Sequence, residues 1–197
     1  MSTPDARVSQ FGFVVCLLIL SWQVMTTTHE LGHIGAALAS GGRIQSVDLP
    51  LLGISSTNVA PNPAPGFVVW AGPVAGCALP LLLMILVPRR CAASRLIVRF
   101  LSGFSLMANG AYIAGGSFHA IGDCAQMYQT GTPQWVMLVT GSSMSVCGLI
   151  LWHRMGSIGQ FFGRPQIVTP RVLMGTAIAT LLVVGLDVTA TRFLFQN

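Results

Sequence analysis

Apolar residues run along this chain in five long blocks, separated by short polar or proline-rich connections. The blocks are Phe11 to about Ser40, Phe67 to Val87, Leu96 to about Phe118, Trp135 to Trp152, and Val172 to about Thr189. A helix adds about 1.5 Å per residue, so about 20 mostly apolar residues are needed to cross a hydrocarbon layer near 30 Å thick. Each block comes close to that length. The pattern predicts an all-α polytopic membrane protein with about five transmembrane helices, folded as one membrane-embedded domain over residues 1–197. Gly103, Gly110, Gly115 and Gly116 in the third block suit close helix contact in lipid. Trp135 and Trp152 bracket the fourth block, as interfacial anchors do.

The connection "GGRIQSVDLPLLGISSTNVAPNPAPG", Gly41 to Gly66, breaks the pattern. It is too rich in proline and glycine to span. "RIQSVDL" alternates apolar and polar residues with period two, as a strand does, and Ile54 to Val59 offers a partner. The expectation is a short membrane-associated β-hairpin followed by a proline-rich return. An unstructured loop is the alternative.

Composition sharpens this picture. Only 8% of residues are charged, against about 25% in soluble domains. The net charge of +5 comes from arginine alone, with no lysine in the chain. The arginines sit at the ends of apolar blocks rather than in a patch, so nucleic acid is not an expected partner and the lipid bilayer is. Arg7, Arg89, Arg90, Arg95, Arg99, Arg154, Arg164 and Arg171 fall on one side of the predicted bundle, and Arg43 and Arg192 on the other. The positive-inside rule then places the N-terminus in the cytoplasm. An Ala-, Gly- and Arg-rich chain without lysine points to a bacterium, and so to its inner membrane. No cleavable signal is expected, because the first apolar block is too long for one. Cys16, Cys77, Cys91, Cys124 and Cys147 show no CxxC spacing and read as small core residues rather than disulfide or metal partners.

The chemistry concentrates in "TTTHELGHIGAALASGG", Thr26 to Gly42, near the end of the first block. His29 and His33 are four apart and share one face of a helix. Glu30, the only glutamate in the chain, stands beside them. Two imidazoles at this spacing can hold one zinc ion, and the adjacent glutamate can take a proton from water. Ionisable residues inside a span cost at least about 2.5–3.5 kcal/mol each on insertion scales, so three together need a compensating role. Hydrogen bonding between helices is the bland alternative.

A zinc site needs a third protein ligand and an open position. Asp123, in "GSFHAIGDCAQM", follows the glycine-rich end of the third block, where a local break would aim its carboxylate inward. Asp187 reads as an interhelical hydrogen-bonding or end-of-helix residue. His119 is four residues before Asp123, so a continuous helix would put both on one face. It is a candidate to support Asp123 or to replace it as ligand. His153 follows Trp152 and reads as interfacial.

With these pieces in place, the chain resembles the site-2 protease family of intramembrane zinc metalloproteases. "HELGH" is similar to the family's helix-borne HExxH, and "AGPVAG", Ala71 to Gly76, to its glycine-proline motif. Asp123 stands where the family's third ligand comes, and Arg43 to Leu49 is similar to the start of its membrane-embedded hairpin. The resemblance covers Phe11 to about Gln129. Gly76 stands where the family commonly has asparagine. Gly115, Phe118 and Asp123-Cys124 stand where its third motif has asparagine, proline and Asp-Gly, and Asn109 lies too far upstream to match. The resemblance is to a minimal member without a PDZ or other regulatory domain. It implies zinc on His29, His33 and Asp123, Glu30 as general base, Gly72 and Pro73 near bound substrate, and a membrane protein substrate held by strand addition to the hairpin. It also implies an orientation opposite to the one the arginines predict. Oligomeric state is open. Two rival readings are a non-catalytic zinc-binding membrane protein, including an inactive relative that binds helices, and a metal transporter. A transporter would need ionisable groups along a path, and the second and fourth blocks have none.

Overall fold

A computed structural model of the chain describes residues 4–156 and 169–194. Its elements are α1 (Pro4–Ala39), β1 (Ile44–Asp48), β2 (Ser56–Val59), α2 (Pro65–Leu86), α3 (Ala92–Gly116), α4 (Asp123–Gln129), α5 (Gln134–His153) and α6 (Pro170–Leu194). Five of the helices are long and apolar enough to cross a membrane. They match the five apolar blocks, with ends shifted by a few residues. Arg164 lies outside the described residues. Many large apolar side chains face outward, among them Leu82, Ile85, Leu86, Leu181 and Leu186, as a lipid-facing surface requires.

Without water to drive apolar surfaces together, helices in lipid associate through close packing, and small residues allow it. The α3–α5 interface shows this directly. A Cβ on Gly110 would lie 2.5 Å from the Gly141 carbonyl oxygen, and a Cβ on Gly141 would lie 2.5 Å from that of Gly110. One heptad along, a Cβ on Gly148 would lie 2.7 Å from the Gly103 oxygen. The two backbones are in direct contact, and no larger residue fits. Trp152 closes this end of the seam. Its ring stacks on Phe100 and its Nε1–H donates to the Phe100 carbonyl at 3.1 Å, so it packs between helices rather than serving only as an interfacial anchor.

α1 stops because Gly41 takes a positive φ of 79° and the Gly42 N–H returns to the Ala37 carbonyl at 2.7 Å. That turn sends the chain back along α1 as the hairpin. β1 and β2 pair antiparallel, with Val47 opposite Thr57 and Asp48 opposite Ser56. Ile44 and Val59 pack on Ala36, Ala37 and Val68, which seats the hairpin on α1 and α2. Its tip exposes Leu51, Leu52 and Ile54.

The break after α3 is sharper than the sequence suggested. α3 ends at Gly116, and after six intervening residues a separate short helix, α4, begins at Asp123. His119 and Asp123 therefore do not share a helix, which corrects the expectation of a common face. Cys124 and Met127 of α4 are fully buried in a cluster with Val69, Ile113 and Met137, so α4 is anchored to α2, α3 and α5. Cys124 and Cys77 are buried core residues as expected, whereas Cys91 and Cys147 are exposed.

Candidate metal centre

His29, Glu30 and His33 are all buried on α1, and their potential ligand atoms lie within 4.8 Å of one another. This cluster could hold a metal ion. Each histidine has one ring nitrogen committed to an interhelical hydrogen bond. His33 Nδ1–H donates to the Val68 carbonyl of α2 at 2.8 Å. His29 Nδ1 lies 2.6 Å from Asn109 Oδ1 of α3. The Asn109 amide is oriented by its own Nδ2–H, which donates to the Ser105 carbonyl at 2.9 Å, so its oxygen faces His29 and accepts. Both rings are thereby set as Nδ1–H tautomers with the Nε2 lone pair directed away from the bond. Bonds of this kind orient metal-ligating imidazoles and raise their basicity.

The two Nε2 atoms meet at one carboxylate. Asp123 Oδ2 lies 2.9 Å from His29 Nε2 and 3.4 Å from His33 Nε2. Asp123 reaches this point because Gly122, with φ 56°, turns the chain into α4, and the Asp123 N–H donates to the Tyr112 hydroxyl at 2.9 Å. A Cβ on Gly122 would overlap that hydroxyl. Burial alone would raise the Asp123 carboxyl. The hydrogen bonds and charge of His29 and His33 outweigh it and hold the carboxyl well below the usual carboxylate range. Three lone-pair donors converging this closely require a cation among them, either a proton on an imidazole or a metal ion.

Two donor sets are thus available around the histidine pair. Glu30 is the less free of the two carboxylates. Its Oε1 accepts from the Ser55 hydroxyl and its Oε2 from the Thr57 hydroxyl, both at 2.6 Å. Ser55, just before β2, and Thr57, within it, both reach Glu30 from the hairpin. Asp123 has the Nε2 atoms as its side-chain partners and is the better placed to join them.

The remaining sequence candidates fall around this centre. Gly72 is buried against His33, and a Cβ there would overlap the imidazole, so Gly72 makes room for that ring. Pro73 is buried inside α2. Neither lines the nearby cavity of roughly 210 Å³, which is walled by Trp22, Met25, Ile54, Ala108 and Tyr112 and reaches His29 and Asp123. His119 is exposed in the turn after α3, outside the donor cluster, and His153 is exposed at the end of α5. Asp187 is buried on α6 and accepts from the Thr27 hydroxyl through both oxygens, at 3.0 and 2.9 Å, an interhelical role. Sequence reasoning missed Ser55, Thr57 and Tyr112, and it set Asn109 aside as too far upstream. The period-two spacing of Ser55 and Thr57 was a visible signal: two hydroxyls at that spacing in the expected strand Ile54 to Val59 predict a polar partner. Asn109, buried in a span, was another.

Comparison of the chain with protein-family models, with curated proteins and with solved structures finds no match.

Proposed function

We propose that this protein is an intramembrane zinc metalloendopeptidase that cuts a transmembrane or membrane-proximal segment of a protein substrate, with Glu30 as general base. The observation that carries this reading is the convergence of His29 Nε2, His33 Nε2 and Asp123 Oδ2, at 2.9 and 3.4 Å, beside the Glu30 carboxylate. Tetrahedral zinc donors lie about 3.3–3.4 Å apart, and the two histidine-to-Asp123 distances, 2.9 and 3.4 Å, fall near that spacing. The donor chemistry also fits: two neutral imidazoles and one carboxylate offset part of the ion's charge in an apolar surrounding.

A zinc ion held there supplies Lewis acidity toward a peptide carbonyl and toward water. The chain supplies the rest. Asn109 and the Val68 carbonyl fix the two imidazoles, and Tyr112 fixes the start of α4. Glu30 takes a proton from the attacking water and returns it to the leaving amine as the peptide bond breaks. The apolar cavity against His29 and Asp123 suits one uncharged side chain of the substrate beside the scissile bond. The hairpin edge can hold an unwound substrate segment as an added strand. Ser55 and Thr57 each donate to one Glu30 oxygen and leave each oxygen a second lone pair, so the hairpin orients the base without blocking it.

That same pair of bonds, which gives Glu30 a structural role, is the one observation favouring a second reading, a zinc-binding membrane protein that does not cut. The discriminating experiment is Glu30→Gln, which preserves shape. The protease reading expects this variant to fold, to carry about one zinc per chain by elemental analysis, and to lose cleavage of single-span peptides by roughly 10²–10⁴-fold. His29→Ala should lose both metal and cleavage. Undiminished cleavage by Glu30→Gln, or parental cleavage that persists in phenanthroline, would overturn the protease reading. Bound zinc without any cleavage would favour the second.

A further inference from the structure

Far from the histidines, a second polar feature has no role in the function proposed above. A cavity of about 280 Å³ lies between the end of α2, the α2–α3 turn, the start of α3 and the residues after α5. Three of its walls are guanidinium side chains, Arg89, Arg95 and Arg99, and the others are largely apolar, Met84, Leu96 and Met155. Leu96 and Met155 also pack on Phe13 and Leu17 of α1. Phe13 precedes His29 by 16 residues of one helix, which places the two sites about 24 Å apart along α1.

The charge here is unbalanced. Arg95 and Arg99 are four apart on α3, so the two cations share one face and repel. Both are half-buried, and Arg89 is exposed. Among the described residues, the ion pairs are those of His29 and His33 with Asp123, and no carboxylate serves these arginines. Arginine inside a span is costly unless it snorkels or finds an anion. The first turn of α3 adds unsatisfied donors, since Cys91 at its N-cap makes no side-chain capping bond.

We propose that this cavity binds the phosphate of an anionic phospholipid, with the lipid's glycerol and acyl chain lying against Met84, Leu96 and Met155. The cavity sits where α2 ends and α3 begins, at the edge of two membrane-spanning helices, which is the depth of headgroups. Guanidinium forks match phosphate oxygens in pairs. The apolar walls favour a lipid over free phosphate, which would leave them uncovered. Outward-facing Ile85 and Leu86 continue the apolar surface beside the cavity and provide a path for acyl chains.

The test uses the full chain in a neutral detergent, with melting temperature read after adding phosphatidylglycerol, phosphatidylcholine of the same chains, or inorganic phosphate. Phosphatidylglycerol at saturation should raise the melting temperature by about 5 °C or more, and the other two should not. The Arg95→Gln/Arg99→Gln double variant should lose that rise, while Arg43→Gln, at the other end of the bundle, should keep it. An equal rise with phosphatidylcholine, an equal rise with phosphate, or a rise that survives in the double variant would overturn the proposal. Should the double variant not fold, native mass spectrometry of the unmodified chain decides. Selective retention of phosphatidylglycerol over phosphatidylcholine supports the site, and equal retention refutes it.

Discussion

His29 Nδ1 and Asn109 Oδ1 lie 2.6 Å apart, joining α1 to α3 across 80 residues of sequence. The contact exists because α2 yields space for it. A Cβ on Gly76 would lie 2.8 Å from Asn109 Nδ2, so a glycine on α2 lets an asparagine on α3 reach a histidine on α1. Gly76 is the position at which the resemblance to site-2 proteases leads one to expect asparagine. In this chain an amide arrives from the next helix instead.

Asn109→Ala removes the acceptor that orients His29 and leaves its Nδ1–H without a partner. Loss of such an outer hydrogen bond typically weakens metal affinity 10–100-fold. Zinc titration against a competing chelator should show a drop of about that size. Unchanged affinity would mean that the His29 ring is held by packing alone.

Gly72→Ala should reduce zinc content through His33, because the added methyl overlaps the imidazole and the α1–α2 contact leaves little room to relax. Gly35→Ala is the matched control on α1, since nothing lies within 4 Å of a Cβ there. Elemental analysis of the two purified variants should find metal depleted in the first and retained in the second.

Thr57→Val is nearly isosteric and leaves Glu30 Oε2 without its hydroxyl donor. An unsatisfied buried acceptor costs about 1–3 kcal/mol. Thermal or denaturant unfolding should show that loss. A double-mutant cycle with Glu30→Ala, which removes the acceptor, should give a coupling of roughly 0.5–3 kcal/mol, the range for groups in direct contact. Zero coupling would show that the hairpin does not engage Glu30 in solution.

Arginine placement predicts the α2–α3 turn and the N-terminus in the cytoplasm and the C-terminus outside. Reporter fusions after Arg90 and after Asn197 read this directly. Signal from outside the cell at Arg90 would establish the reverse orientation, the one that the family resemblance implies.

The spans, the HExxH pair and the hairpin were legible before any coordinates, because each is written in local spacing. Twenty-residue apolar runs can only be helices in lipid. Residues four apart on a helix must share a face, and period-two alternation between proline-rich ends reads as strand. Asp123 was also within reach, through the glycines that break α3. Its helix α4 was not, because seven residues carry too little periodicity and α4 is held by the burial of Cys124 and Met127 against three other helices. The partners of the site lay further out of reach. Asn109 belongs to His29, and Ser55 and Thr57 to Glu30, through contacts spanning 25 to 80 residues. No local pattern encodes which face of α3 turns toward α1 or how far the hairpin folds back. Those depend on how closely the helices approach, and the approach is set by Gly72, Gly76, Gly110 and Gly141, residues whose role appears only once a neighbouring atom stands where a side chain would have been.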